Sequence, residues 1–154
     1  MSEHRAIIEW GNPSPEYLKG RYSREHTWTF DGGATVLASS SPNVVPVPMS
    51  NPAGVDPEEA FIASLSSCHM LTFLDLARRK GFTIERYRDE AVGHLSKNAE
   101  GAMWISEVIL TPEITYAGDK RPTAVEEEDL HHAAHKMCFI SNSVKTDVRV
   151  ASAA

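Results

Sequence analysis

The chain has 154 residues, a net charge of −6 and 42% hydrophobic residues, which predicts one domain over residues 1–154 with a real core and excludes a disordered chain. The acidic balance disfavours nucleic-acid binding, because that needs a basic surface. Two cysteines are too few for a disulfide-stabilised secreted scaffold. Residues 1–5 show no apolar signal region, and no uncharged apolar stretch reaches the ~18 residues of a membrane span. We therefore expect a soluble, cytoplasmic protein.

The N-terminal part predicts a β-hairpin followed by a long loop. Residues 25–30 alternate in polarity, an Asp-Gly-Gly turn follows at 31–33, and a second strand is expected over 34–38. A weaker strand is expected at 5–10. Four prolines between positions 38 and 55 exclude a helix or a central strand, so this segment is a loop, either a functional cover or a plain connector.

A long helix is predicted next. Asp56 suits the N-cap, Pro57 the first helical position, and Glu59 completes a capping box. The helix is expected to continue to about Lys80 and to end at Gly81.

This helix is predicted to be central in the fold. No charged residue occurs from position 60 to position 74, and a helix that is apolar all round is buried on several sides. Small residues such as Ser64 and Ser67 would let another backbone approach closely.

The second half predicts a hairpin, a helix and a strand. Residues 82–97 and 102–116 look extended, and the turn residues at 98–101 join them. A second helix begins after Thr123, the N-cap of a capping box, and reaches about position 138. Val144, Val148 and Val150 alternate with charged residues, as in a half-buried strand. This order of elements predicts an α+β fold, with antiparallel sheets packed against two central helices.

The two cysteines are the candidate reactive groups. Cys68 lies three turns into the apolar helix, where desolvation raises a thiol pKa, so a reactive Cys68 would need a cation from elsewhere in the fold. Cys138 lies at the end of the second helix, where the negative end of the dipole also opposes a thiolate. We therefore expect Cys68 to be attacked by an oxidant and Cys138 to resolve the product as a disulfide. The alternative is two inert, packed cysteines.

Histidines near the cysteines leave other chemistries open. His131, His135 and Cys138 share a helix face and could form a tetrahedral zinc site with Cys68. His69 follows Cys68 directly and points about 100° away from it on a helix, so it is a poor partner for that sulfur. A cysteine hydrolase with His135 as its base is less favoured, because no oxyanion hole is evident.

Several motifs together resemble the OsmC/Ohr family, the osmotically inducible and organic hydroperoxide resistance proteins. They are VDPEEAF at 55–61, ASLSSC at 63–68, and HHAAHKMC at 131–138 followed by SNS at 141–143. The resemblance implies the OsmC/Ohr fold and an intertwined homodimer with two active sites at the subunit interface. It also implies a thiol-dependent peroxidase that reduces organic hydroperoxides, and sometimes hydrogen peroxide, without haem, flavin or metal.

The same resemblance implies residue roles. Cys68 corresponds to the peroxidatic cysteine, Cys138 to the resolving one, and Glu58 to the carboxylate that holds a catalytic arginine. Glu58 and Cys68 are separated by about 15 Å along one helix, at ~1.5 Å per residue. A shared arginine would therefore need a long reach, or two antiparallel helices from two subunits. Without the resemblance, Glu58 would be interpreted as a partner of the helix dipole.

The arginine is where this chain departs from the pattern. The loop from 38 to 55 contains no arginine. Arg24 in the N-terminal strands is therefore the first choice for stabilising the thiolate and Arg21 the second, although either could be a plain surface residue. Phe139 follows the second cysteine where many members have proline, and His69 follows the first, so the chain belongs to a less typical branch.

Apolar residues near the first cysteine suggest a hydrophobic peroxide. Phe61, Leu65, Phe73 and the loop at 44–49 could contact such a substrate, or could be ordinary core. The resemblance implies an external dithiol reductant of the lipoyl type. The competing hypothesis is a non-enzymatic dimer of the same fold that binds zinc or a small ligand.

Overall fold

A computed structural model describes residues 1–11 and 14–151, and these contain eight strands, two α-helices and two 3₁₀ turns. The strands are β1 (Ala6–Glu9), β2 (His26–Phe30), β3 (Thr35–Ala38), β4 (Thr83–Asp89), β5 (Val92–Lys97), β6 (Met103–Leu110), β7 (Pro112–Ala117) and β8 (Asp147–Val150). The helices are α1 (Pro57–Arg79) and α2 (Ala124–Met137), and the 3₁₀ turns are Tyr17–Lys19 and Ser141–Ser143. The chain divides into two units, Met1–Ala60 and Phe61–Ala154, and α1 begins in the first and continues in the second.

The first unit contains a three-stranded antiparallel sheet in the order β1-β2-β3. The predicted hairpin is confirmed: Trp28 pairs with Val36 across β2 and β3, and Gly33 takes a φ of +85° in the turn. The segment between β3 and α1 has no helix or strand, as its prolines predict. The 3₁₀ turn at Tyr17–Lys19 was not predicted, because three residues carry no periodic signal.

The N-terminus of α1 is held by the predicted capping box. The Glu59 N–H donates to Asp56 Oδ1 (2.7 Å), and the Asp56 N–H donates to Glu59 Oε2 (3.1 Å). Two backbone donors that the first helical turn leaves without partners are thereby satisfied. At the other end, Gly81 takes a φ of +80°, so the helix ends where glycine predicts.

Removing this cap should weaken the fold measurably. Asp56→Ala deletes an acceptor that is 8% exposed, and we expect the free energy of unfolding to fall by about 1 kcal/mol. Urea unfolding followed by circular dichroism measures the change. Asp119→Ala removes a carboxylate from an exposed position outside any helix, and this control should stay close to the wild-type value.

In the second unit, each predicted extended segment is two strands rather than one. β4 pairs with β7 in an antiparallel sheet, and β5 and β6 form the predicted hairpin in another. The division occurs around Thr111, whose N–H donates to Asp89 Oδ1 (2.7 Å) and whose hydroxyl donates to the Glu90 carbonyl (2.9 Å). These bonds replace a sheet ladder at that point. The turn at Asn98 is as predicted, since its Oδ1 accepts the N–H of Ala102 (2.9 Å).

The last part of the chain also departs from a purely antiparallel arrangement. α2 begins with the predicted capping box of Thr123 and Glu126. The strand β8 is shorter than predicted, because a 3₁₀ turn precedes it, and it pairs in parallel with β6. The α+β class is confirmed, with sheets that are antiparallel and mixed.

Two clusters of buried side chains form the core of the second unit. One contains Phe73, Ala77, Phe82, Leu130 and Ala134, and the other contains Leu65, Val108, Leu110 and Val148. Both draw on one stripe of α1, made of Leu65, His69, Phe73 and Ala77. The expected burial of α1 on several sides is wrong for the single chain, because Leu71 on another face is 61% exposed.

α1 is also the one helix among residues 1–11 and 14–151 whose length and mean hydropathy would suffice to cross a membrane. Its buried stripe belongs to the core, and the core helix of a soluble protein has the same length and composition.

Candidate redox site

The second unit brings the two cysteines together. Cys68, on α1, and Cys138, which caps the C-terminus of α2, lie close enough for their thiols to hydrogen bond. Both are free thiols. Cys68 is half-buried, whereas Cys138 has no exposed surface. Of the two cysteines, Cys68 is the one that solvent reaches.

The surroundings of Cys68 favour the neutral thiol. Burial raises the pKa of Cys68, and the neighbouring Cys138 thiol raises it further. The backbone N–H groups of Phe139 and Ile140 act in the opposite direction without reversing the shift. The prediction that burial raises this pKa is confirmed, and a reactive Cys68 requires an additional positive charge.

The surroundings of Cys138 act differently from what its helix position predicts. Burial alone would raise the pKa of Cys138, but hydrogen bonds from Cys68 and Ser141 hold it below the ordinary value. The Ser141 N–H donates to Cys138 Sγ at 3.4 Å. These hydrogen bonds act against the dipole effect expected at the end of α2. The N–H groups at the start of the 3₁₀ turn Ser141–Ser143 reach the sulfur, a contact that the position of Cys138 at the end of α2 does not indicate.

His69, which had no assigned role, and His131, a candidate zinc ligand, form a buried pair. His69 Nε2 lies 3.0 Å from His131 Nδ1, and the two rings stack with their centroids 5.3 Å apart. His69 has no exposed surface and His131 is 8% exposed. Burial lowers the pKa of His69 to about 4, assisted by the nearby His131 and His135, and burial also lowers the pKa of His131. No spacing within one helix could have indicated a bond that joins two helices.

The alternative zinc site is not assembled. Within the described residues, no group of three or more His, Cys, Asp and Glu side chains is placed to hold a metal ion. The proposed ligand set of His131, His135, Cys138 and Cys68 is therefore not brought together among the described residues.

The candidate arginines and Glu58 lie in the first unit. Arg24 donates from Nη1 to the carbonyls of Tyr22 (2.6 Å) and Gly20 (3.1 Å), and its guanidinium lies 3.6 Å from the centre of the Tyr22 ring. Arg21 donates twice to the Glu16 carboxylate (2.7 and 2.9 Å). Neither Arg24 nor the half-buried Glu58 forms an ion pair with any residue in 1–11 or 14–151. Arg24 is thus the candidate whose charge no carboxylate neutralises.

The apolar residues predicted to contact substrate divide into two groups. Leu65 and Phe73 have no exposed surface and belong to the two core clusters, so packing explains both. Phe61 is half-buried at the margin of one cluster. Phe139, next to Cys138, is 81% exposed and was not predicted as a site residue.

A cavity of about 490 Å³ lies between α2 and β8 in the same unit. Three histidines of α2 line it, His131, His132 and His135, together with Val148 and Val150 of β8. It gives the ligand-binding hypothesis a physical location, without a metal-binding arrangement among the described residues.

Comparison with known proteins finds the same family that the motifs resemble. A family model described as OsmC-like protein matches residues 50–153. An OsmC-like protein of unknown function from Vibrio cholerae is 51% identical, with a TM-score of 0.96 over 98% of this chain and 99% of that one. An organic hydroperoxide resistance protein from Legionella pneumophila (18% identity, TM-score 0.72, 97% and 96% covered) shares the fold. So does OhrB of Bacillus subtilis, an organic hydroperoxide resistance protein (20% identity, TM-score 0.69, 97% and 96% covered). No curated protein matches the chain.

Proposed function

We propose that this chain, which belongs to the OsmC-like family, is a cysteine-based peroxidase acting on organic hydroperoxides. The fold of this family is that of a soluble protein. The observation that carries the proposal is the contact between two free thiols, of which one is half-exposed and the other fully buried. This arrangement suits a cysteine that meets the oxidant and a second cysteine that captures the oxidised product. The related proteins named for hydroperoxide resistance support the same chemistry.

The proposed reaction has three balanced steps. The Cys68 thiol ionises, and its thiolate attacks the terminal oxygen of the peroxide ROOH. The O–O bond breaks, the Cys68 sulfenic acid forms, and the leaving alkoxide takes up the proton that the thiol released, which gives an alcohol. The Cys138 thiol then attacks the sulfenic sulfur, which forms a disulfide and releases water. An external dithiol exchanges with the disulfide, is itself oxidised to a cyclic disulfide, and returns both protein thiols. We propose a dithiol of the lipoyl type and a cytoplasmic location, where free thiols persist.

The first step needs a cation beside Cys68, since burial raises the pKa of that thiol. We propose that Arg24 supplies it and that Glu58 orients the guanidinium. Among residues 1–11 and 14–151, the partners of Arg24 are neutral carbonyls and an aromatic ring, which hold it less firmly than a carboxylate would. Arg21 is the second choice, because Glu16 already neutralises it.

Removing this charge should slow the reaction with peroxide. For Arg24→Ala we expect the rate constant of Cys68 oxidation to fall by about 100-fold, the loss typical of one preorganised electrostatic contact. Stopped-flow oxidation at limiting peroxide measures it. The matched control is Arg21→Ala, which should stay within about threefold of wild type. A larger loss in Arg21→Ala than in Arg24→Ala would transfer the role to Arg21.

We further propose that the active unit is a homodimer with its sites at the interface. On α1, Ala63, Ser67 and Leu71 follow one another at four-residue spacing and are all exposed in the single chain. Such a stripe of small and apolar side chains would allow the α1 helices of two copies to pack closely. An antiparallel pair would also bring Glu58 of one copy towards Cys68 of the other. Within one helix these two residues are separated by about 15 Å.

Peroxide consumption tests the proposal. Wild-type protein, reduced and free of metal, is mixed with cumene hydroperoxide or hydrogen peroxide and a dithiol, either dihydrolipoamide or dithiothreitol. We expect turnover with both peroxides and faster turnover with cumene hydroperoxide, because Phe139, next to Cys138, offers exposed apolar surface and we propose Phe61 as a further substrate contact. Absence of turnover with either peroxide would contradict the proposal, and attention would then move to the cavity between α2 and β8 as a ligand site.

A further inference from the structure

The buried histidine pair joins the two helices that carry the cysteines. His69 is the residue after Cys68 on α1, and His131 lies seven residues before Cys138 on α2, about 10 Å along the helix. Phe73, one turn after His69, stacks on the His131 ring with a centroid distance of 4.4 Å. The two helices are therefore joined by side-chain contacts one residue after Cys68 on α1 and two helical turns before Cys138 on α2.

We infer that the hydrogen bond between His69 and His131 is a positioning contact, which holds α1 and α2 so that the Cys68 and Cys138 sulfurs can bond. The strength of this contact thereby sets how readily the disulfide forms. This inference rests on the proposed function, because it treats the two cysteines as a redox pair. Neither histidine is a catalytic residue here, since both act through the placement of the thiols.

The unpartnered nitrogen of the pair defines its tautomer. His69 Nδ1 is buried and has no hydrogen-bond partner among the described residues. An orphaned buried N–H is rarer than an orphaned acceptor, so Nδ1 carries the lone pair and Nε2–H donates to His131 Nδ1. A proton added at His131 Nδ1 would set two donors against each other. The charged and titratable groups that act on the pair are Asp89 of β4 and Glu127, His132 and His135 of α2.

The experiment compares a broken and a conserved hydrogen bond at His69. His69→Leu removes the donor, whereas His69→Gln places an amide N–H near the position of Nε2. Each variant is equilibrated at pH 7 with reduced and oxidised glutathione. One oxidised glutathione takes two electrons and two protons from the two thiols, which leaves the protein disulfide and two reduced glutathione molecules. Alkylation and mass spectrometry then give the equilibrium constant.

We expect the equilibrium constant for disulfide formation to fall about tenfold in His69→Leu and to stay within about twofold of wild type in His69→Gln. A purely structural role would alter the unfolding free energy without this rescue. An unchanged constant in His69→Leu, or an equal loss in both variants, would overturn the inference alone. Absence of a Cys68–Cys138 disulfide in the wild type would overturn the resolving step of the proposed function, and the inference with it.

A second pair of variants protects the test against misfolding. If circular dichroism shows that His69→Leu does not fold, His131→Leu and His131→Asn provide the same comparison from α2. The asparagine side chain places its amide near the position of Nδ1 and can accept from His69. The same tenfold loss and the same rescue are expected, and their absence would overturn the inference.

Discussion

Replacing Cys68 by serine is expected to abolish peroxide consumption, whereas replacing Cys138 by serine is expected to limit it to one equivalent of peroxide per site. The half-exposed Cys68 is the thiol that a peroxide can reach, and its loss removes the nucleophile. Without Cys138 the sulfenic acid forms but has no thiol partner. Peroxide consumption without reductant measures the first equivalent, and trapping with dimedone followed by mass spectrometry locates the sulfenic acid.

The opposite result has a definite meaning here, because the Cys138 sulfur accepts the Ser141 N–H, a hydrogen bond that stabilises a thiolate. A single turnover that survives in Cys68→Ser and disappears in Cys138→Ser would make Cys138 the attacked residue. Ser96→Ala is the control: it removes a hydroxyl from an exposed residue of β5, outside the proposed interface, and should leave both steps unchanged. The two serine variants thus show which property decides the reaction: exposure to peroxide, which favours Cys68, or stabilisation of the thiolate by hydrogen bonds, which favours Cys138.

Local chemistry accounts for the parts of the fold that the sequence predicts well. Each helix N-terminus is capped by hydrogen bonds between residues three positions apart, Asp56 with Glu59 and Thr123 with Glu126. A segment of four residues is therefore enough to recognise a capping box. Gly81 ends a helix because it adopts a positive φ at little cost. The pairing of Cys68 with Cys138 is different, because it joins positions seventy residues apart. It followed from the division of roles between two cysteines and from the family resemblance, not from any local spacing.

The features that escaped prediction depend on contacts between distant segments. The parallel pairing of β8 with β6 leaves no mark in the alternation of β8, because period-two patterns are the same in parallel and antiparallel strands. The His69–His131 bond joins two helices, and each residue on its own resembles a core or capping histidine. The lowered pKa of Cys138 depends on a 3₁₀ turn of three residues.

The environment of α1 shows another limit of a single sequence. The absence of charge from position 60 to position 74 indicates burial, yet one chain buries a single stripe and leaves Leu71 61% exposed. Hydrophobic patterning records every surface that is removed from water, whether the same chain or a second copy covers it. The proposed homodimer reconciles the apolar sequence of α1 with its exposure in the single chain.

Acidification from pH 7 to pH 4.5 is expected to cost the folded chain about 2–3 kcal/mol of unfolding free energy through His69 alone. In the unfolded chain a histidine binds its proton near pH 6.5. In the folded chain, burial lowers the pKa of His69 to about 4, and the nearby His131 and His135 contribute to this shift. Between these values the unfolded state holds a proton that the folded state lacks, so stability is complete above pH 6.5 and is lost as the pH falls towards 4. Urea unfolding at half-unit steps of pH measures the slope.

The comparison with a variant isolates this histidine from the carboxylates that also titrate at acid pH. His69→Gln keeps a donor at the bond to His131 but has no proton to gain, so its unfolding free energy should fall by about 2 kcal/mol less than that of wild type over the same range. His94→Gln, which replaces an exposed histidine on β5, should follow the wild-type slope. If His69→Gln and wild type lose stability in parallel, the buried pair already accepts a proton in the folded state. The lone pair assigned to His69 Nδ1 would then be the site that takes it.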